Sequence, residues 1–161
     1  MPIPAYMWIK DDQGNDIKST SQVSGREHSA EIYGLKHKVY IPTDSDTGAL
    51  MSTRKHEPFV ILKQYCSASP IFYKACTSGK TLEEVKISWY RINSTGQEEE
   101  YFRHTLSNAK VVSVEPVMDD IKDKTKENYG HLERVAFRYQ KIRWEYLDGN
   151  IATEDQWTDR S

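Results

Sequence analysis

Two cysteines, five histidines and four short acidic clusters hold most of the reactive side chains of this chain. Cys66 and Cys76 do not form a C-x-x-C redox pair or a zinc knuckle, so they read as two reduced, partly buried thiols. His28, His37, His56, His104 and His131 include no pair at the i, i+4 spacing of H-E-x-x-H and no H-x-H strand pair. The chain has no G-x-S-x-G elbow, no phosphate-cradling G-x-x-x-x-G-K and no G-x-G-x-x-G. The acidic clusters are Asp11-Asp12, Asp44-Ser45-Asp46, Glu98-Glu99-Glu100 and Asp119-Asp120. Paired carboxylates can hydrolyse glycosides, but these flank turn residues, where Asp and Asn serve backbone geometry. Asp44 to Gly48 is similar to the start of a calcium loop, yet lacks the closing Glu and flanking helices. Together these spacings predict no catalytic residues, no metal site and no cofactor, and so no enzyme.

The elements around these residues are mostly strands. Period-two alternation marks Tyr6 to Lys10, Ser29 to Ile41, Phe59 to Tyr65, Val85 to Trp89, Glu99 to Leu106 and Val111 to Glu115. Asn93-Ser94-Thr95-Gly96 turns the fourth run into the fifth as a hairpin. In Leu132 to Tyr146 the apolar set changes phase, from Val135, Phe137 and Tyr139 to Ile142, Trp144 and Tyr146. A straight strand cannot put both sets on one face, so a bulge near Gln140-Lys141 or a passage between sheets is predicted. One short helix is predicted over about Pro70 to Ser78, with Ser69 as N-cap, Gly79 after its end, and Ile71, Phe72, Ala75 and Cys76 on its packed face. Two long connections, Pro42 to Pro58 and Met118 to Gly130, exceed the usual loop length and read as functional.

At 161 residues the chain suits one domain, 1–161, able to fold without disulfide or metal. Hydrophobic residues make up 37% and charged residues 29%. The formal net charge of −2 argues against a general nucleic-acid partner. No run reaches the length of a membrane helix, and no basic leader precedes an apolar segment. The expected location is the cytoplasm, unless a dedicated route exports the chain. On these features alone, an all-β assembly protein and a stand-alone carbohydrate-binding or hydrolytic β-domain both remain open.

A resemblance covers nearly the whole chain. It is carried by Pro4-Ala5-Tyr6-Met7-Trp8-Ile9-Lys10, Ile41-Pro42-Thr43-Asp44, His56-Glu57-Pro58-Phe59 and Ser69-Pro70-Ile71-Phe72-Tyr73-Lys74-Ala75-Cys76. Trp89-Tyr90-Arg91-Ile92-Asn93, Asn108-Ala109-Lys110-Val111-Val112, Phe137-Arg138-Tyr139 and Asp148-Gly149-Asn150-Ile151 continue it. In number, order and spacing these strings resemble the haemolysin-coregulated protein (Hcp) family of the bacterial type VI secretion system. One departure is local: family members often carry Asp-Lys where this chain has Cys66-Ser67.

The resemblance implies an all-β fold, a β-barrel of two antiparallel sheets with one short helix and a long extended loop, Pro42 to Pro58. It implies a homohexameric ring, stacked into a tube that carries effector proteins in its lumen. Sheath and spike proteins would be its other partners, with no membrane insertion and with secretion that needs no signal peptide. The long loop, with Asp44, Asp46, Thr47, Gly48, Leu50, Arg54 and Lys55, is expected to serve contact between rings. In the second strand, Tyr33, Leu35 and Val39 are expected to face the core. The opposite set, Ala30, Ile32, Gly34, Lys36 and Lys38, would then be open. The resemblance puts that strand beside the lumen, which makes Gly34, Lys36 and Lys38 candidates for cargo contact.

Overall fold

Alternating side chains build a barrel strand by strand. The computed structural model describes residues 3–19, 21, 24–126 and 130–157. Its strands are β1 (Ala5–Lys10), β2 (Asp16–Ile17), β3 (Ala30–Lys36), β4 (Val39–Tyr40), β5 (Lys55–His56) and β6 (Phe59–Gln64). After helix α1 (Ser69–Ser78) come β7 (Thr81–Ile92), β8 (Glu98–Val117), β9 (Leu132–Arg138), β10 (Lys141–Tyr146) and β11 (Ile151–Gln156). A 3-10 turn, Lys124–Lys126, lies in the second long connection. All pairings are antiparallel, in one nine-stranded sheet and the separate two-stranded sheet β4–β5. The order β8-β7-β1-β3-β6-β9 closes because β9 pairs back onto β8, leaving β10 and β11 as a flap beside the barrel.

The 20-residue β8 makes this closure possible. Its first half, Phe102 to Ser107, pairs with β10, and its second half, Lys110 to Val117, pairs with β9. The expected break between Leu106 and Val111 is a bend instead. Asn108 takes a left-handed φ of 51°, and the register shifts again between Val111 and Ser113. Such kinks let one strand turn a barrel corner without ending. The predicted phase change near Gln140-Lys141 is present, as β9 stops at Arg138 and β10 starts at Lys141.

Phe59, Ile61, Val85, Ile87, Leu106, Val135, Phe137 and Ile142 fill the interior. Helix α1 covers it with Phe72, edge-on to Phe137 at 6.4 Å, and Ala75. Gly79 ends the helix at φ 68°, the left-handed conformation glycine adopts without Cβ strain. Two details of the helix differ from expectation. The N-cap is Ala68, and Ile71 is exposed. Ser69 lies inside the helix, where its hydroxyl donates to Glu133 Oε1 at 2.8 Å and accepts from the Cys66 amide at 2.9 Å. Glu133 stands opposite Lys63 in the β6–β9 register, and the two form an ion pair with side chains no more than 1% exposed.

The facing of β3 also differs. Ala30 and Ile32 are buried in the core, whereas Tyr33 is 46% exposed. The register against β6 shifts between Ile32 and Gly34. That irregularity resets the alternation, so Leu35 packs on the core while Glu31, Tyr33 and Lys36 are exposed. A single alternating face over the whole run is therefore not formed.

Candidate assembly surfaces and their anchor

The first long connection folds on itself as a small hairpin. Val39 and Tyr40 pair with His56 and Lys55, closing the base. Further out, Thr43 bridges Leu50, the Met51 amide donates to Pro42 O at 2.8 Å, and the Asp44 amide donates to Ala49 O at 2.8 Å. Asp44 Oδ1 accepts the amides of Asp46 at 2.8 Å and Thr47 at 3.3 Å, while Gly48 supplies φ 73°. The acidic pair thus serves turn geometry, as its neighbours suggested. With backbone groups paired inside the hairpin, its apolar side chains are left to solvent. Leu50 is 69% and Met51 67% exposed.

A buried polar cluster fastens the base of this hairpin to the last strand. Arg54 forks onto Asp155, Nε to Oδ2 and Nη2 to Oδ1, both at 3.0 Å, and Nη2 also reaches Gln156 O at 2.7 Å. His56 Nε2 lies 2.6 Å from Asp155 Oδ2, and Nδ1 lies 2.5 Å from the Tyr139 hydroxyl. His37 Nε2 meets the same hydroxyl at 2.8 Å. One assignment of protons satisfies every member: His37 Nε2–H donates to Tyr139, whose O–H donates to His56 Nδ1, and His56 Nε2–H donates to Asp155. Trp157 packs on His56 at 5.1 Å, and Arg138 Nη1 donates to His56 O at 2.8 Å.

The cluster perturbs its members in consistent directions. Burial, then the neighbouring His56, pushes His37 down to about 4. Burial, then His37, pushes His104 down to about 4; its Nδ1 accepts from Trp89 Nε1 at 2.8 Å. Burial, then the Asp155 charge, raises the Tyr139 hydroxyl. Hydrogen bonds from Arg54 lead the causes that hold the Asp155 carboxyl below its ordinary value.

An Asp–His pair of this kind is familiar from hydrolases, but here both imidazole nitrogens are already engaged and the His56 side chain is 1% exposed. The cluster holds strands together. None of it was identifiable from spacing, because Tyr139 and Asp155 lie 83 and 99 residues from His56.

The candidate residues named from the sequence fall in two places. Asp44, Asp46, Thr47, Gly48 and Leu50 are together on the hairpin, while Arg54 and Lys55 belong to its base. Arg54 is engaged with β11 and is only partly accessible. Gly34, Lys36 and Lys38 lie at the end of β3 and just beyond it. Lys36 and Lys38 are exposed, with Lys38 Nζ 4.8 Å from the centre of the Tyr40 ring. Gly34 pairs with Leu62, whose Cβ a side chain at 34 would touch at 3.4 Å.

Known proteins share this fold. A family described as "Type VI secretion system effector, Hcp" matches residues 6–146. The "Major exported protein" of Pseudomonas aeruginosa is 34% identical over 98% of this chain and 96% of its own. Among solved structures, a tryptophan double mutant of the Hcp1 protein from E. coli EAEC 042 superposes with a TM-score of 0.87 at 49% identity, covering 96% of this chain and 99% of that one. The secreted protein Hcp3 from Pseudomonas aeruginosa superposes with 0.77 at 31% identity, covering 97% and 99%. The closed barrel, its single helix and the full-length match agree, and the chain belongs to the Hcp family of type VI secretion proteins.

Proposed function

We propose that this chain is a tube subunit: six copies close into a ring, rings stack, and the lumen carries effector proteins. It works by assembly rather than catalysis, and is exported with its cargo alongside sheath and spike proteins. The observation that carries this reading is the hairpin, a projecting element whose tip exposes Leu50 and Met51 while its base is locked to β11. A surface loop that only joined strands would gain nothing from two exposed apolar side chains on a rigid mount. Stacking needs a heterologous, open-ended contact, and ring closure needs a second contact of its own. The edge strand β11 and the exposed hairpin offer separate material for the two. Secretion is supported by the name of the exported relative, and no helix is long and apolar enough to cross a membrane among the described residues.

Within this reading, Lys36 and Lys38 face the lumen near Gly34, and Asp44 to Lys55 meets the neighbouring ring. Light scattering after size-exclusion chromatography, followed by electron microscopy, tests the assembly. A hexamer with an open centre is the expected result, and a stable monomer at micromolar concentration would overturn it.

A further inference from the structure

The sulfur of Cys66 packs at the edge of the core beside a buried ion pair. Lys63 Nζ contacts Glu133 Oε1 and reaches Gln64 O at 3.0 Å, Cys66 Sγ at 3.2 Å and Ser69 Oγ at 3.4 Å. The β6–β9 register fixes this ammonium, since Lys63 and Glu133 are opposed residues. On the other side of the sulfur stands the start of α1, whose N-cap, Ala68, caps no amide with a side chain. Ser19 Oγ is buried and has no hydrogen-bond partner among the described residues. Glu133 Oε2, on a side chain with no exposure, is also unpartnered among the described residues, which leaves an open acceptor in the cluster.

Cysteines become reactive where cationic groups and helix N-termini stabilise the thiolate. Burial by itself would raise the Cys66 thiol. The polar surroundings, with the Lys63 ammonium at 3.2 Å, outweigh it and hold the thiol below its ordinary value. Cys76 is also partly buried, and among the described residues no such donor set surrounds it.

We propose that Cys66 is a modification site for hydroperoxides, at which Lys63 holds first the thiolate and then the sulfenate. The thiolate sulfur attacks one peroxide oxygen. The S–O bond forms as the O–O bond breaks, and the departing hydroxide takes the proton carried by the sulfur-bound oxygen to become water. Cys66 is oxidised by two electrons to the sulfenate and the peroxide is reduced by two. Glu133 Oε2 can accept the O–H of the entering peroxide. The new S–O⁻ group draws on Lys63 and competes with Glu133 for it, so oxidation loosens the contact between α1 and the β6–β9 pair.

The test uses the reduced full-length chain, exposed to hydrogen peroxide in the presence of dimedone, with the adduct located by peptide mass spectrometry. Cys76 is the internal reference. The expected result is about tenfold more adduct at Cys66 than at Cys76. Equal labelling of the two, or labelling of neither, overturns the proposal. A second measurement follows the rate of iodoacetamide alkylation against pH. The Cys66 midpoint should lie below that of the same cysteine in urea-unfolded protein; a midpoint at or above it overturns the proposal. Replacing both members of the ion pair, Lys63→Met with Glu133→Leu, avoids leaving one charge buried alone. In that variant the alkylation midpoint should rise and the adduct fall to the Cys76 level. An unchanged adduct in the folded variant removes Lys63 from the mechanism and overturns the proposal as stated. Should that variant not fold, the wild-type pH profile decides.

Discussion

His37 and His104 make the barrel sensitive to acid. Both are held neutral to about pH 4 by burial and by neighbouring histidines, whereas an unfolded histidine protonates near pH 6.5. Between those limits the unfolded chain binds more protons than the folded one, so stability falls as pH falls. The groups facing His37 are His56, Tyr139, Glu57 and His104; Arg54 and Asp155 lie one contact further on. Asp155 acts in the same direction at lower pH, because its depressed carboxyl stabilises the fold only while ionised. His37 is part-exposed and coupled to His104, so full linkage values do not simply add. A loss on the order of 2 kcal/mol is expected between pH 7 and pH 4.5. Urea midpoints across that range check it, and the slope should be shallower in His37→Gln. A midpoint that is flat, or that rises on acidification, would contradict the assignment.

At the scale of elements, the hairpin between β4 and β5 is separable from the barrel. Its tip hydrogen bonds run within Pro42 to Met51, and its base is fastened by Arg54 and His56, outside the tip. Removing Asp46 to Thr53 should therefore leave folding stability within about 1 kcal/mol of wild type, since shortening a loop changes closure entropy only slowly. Single rings should persist while long tubes are lost in electron micrographs. If the shortened chain fails to fold, the hairpin is structural and the stacking role is refuted. Much about this element could be read in the sequence, including its length, its proline boundaries and the Asp-Ser-Asp-Thr-Gly turn. Its anchor was not legible, because Arg54 and Asp155 are 101 residues apart and no local period links them. Strand β11 was also missed: its residues Ile151 to Glu154 are all exposed, so it carries no alternation to detect.

For the whole molecule, the proposed ring raises the question which wall would face its lumen. Lys36 lies on the solvent side of β3 with Glu31 and Tyr33, so the exposed face is mixed in charge rather than uniformly basic. Six copies would still repeat each lysine around one cavity, where weak contacts gain by multivalency. Lys36→Glu should leave rings intact and reduce co-purification of acidic cargo several-fold, with wild-type binding weakened by salt. Cargo recovery equal to wild type, in intact rings, would remove Lys36 from the lumen site.

Alternation, turn residues and helix caps were enough to determine the strand-rich class, the Asn93 to Gly96 turn, the helix between Pro70 and Gly79, and the register change before Lys141. These are local, because a side-chain period of two and a cap residue act over a few positions. Only the tertiary structure decided which face of β3 is inside, since one irregularity between Ile32 and Gly34 inverts every later side chain. It also decided that Lys63 and Glu133 meet, and that His37, His56, Tyr139 and Asp155 share one cluster. Those contacts depend on barrel closure between β8 and β9, which brings distant segments into register and leaves buried polar groups to satisfy one another.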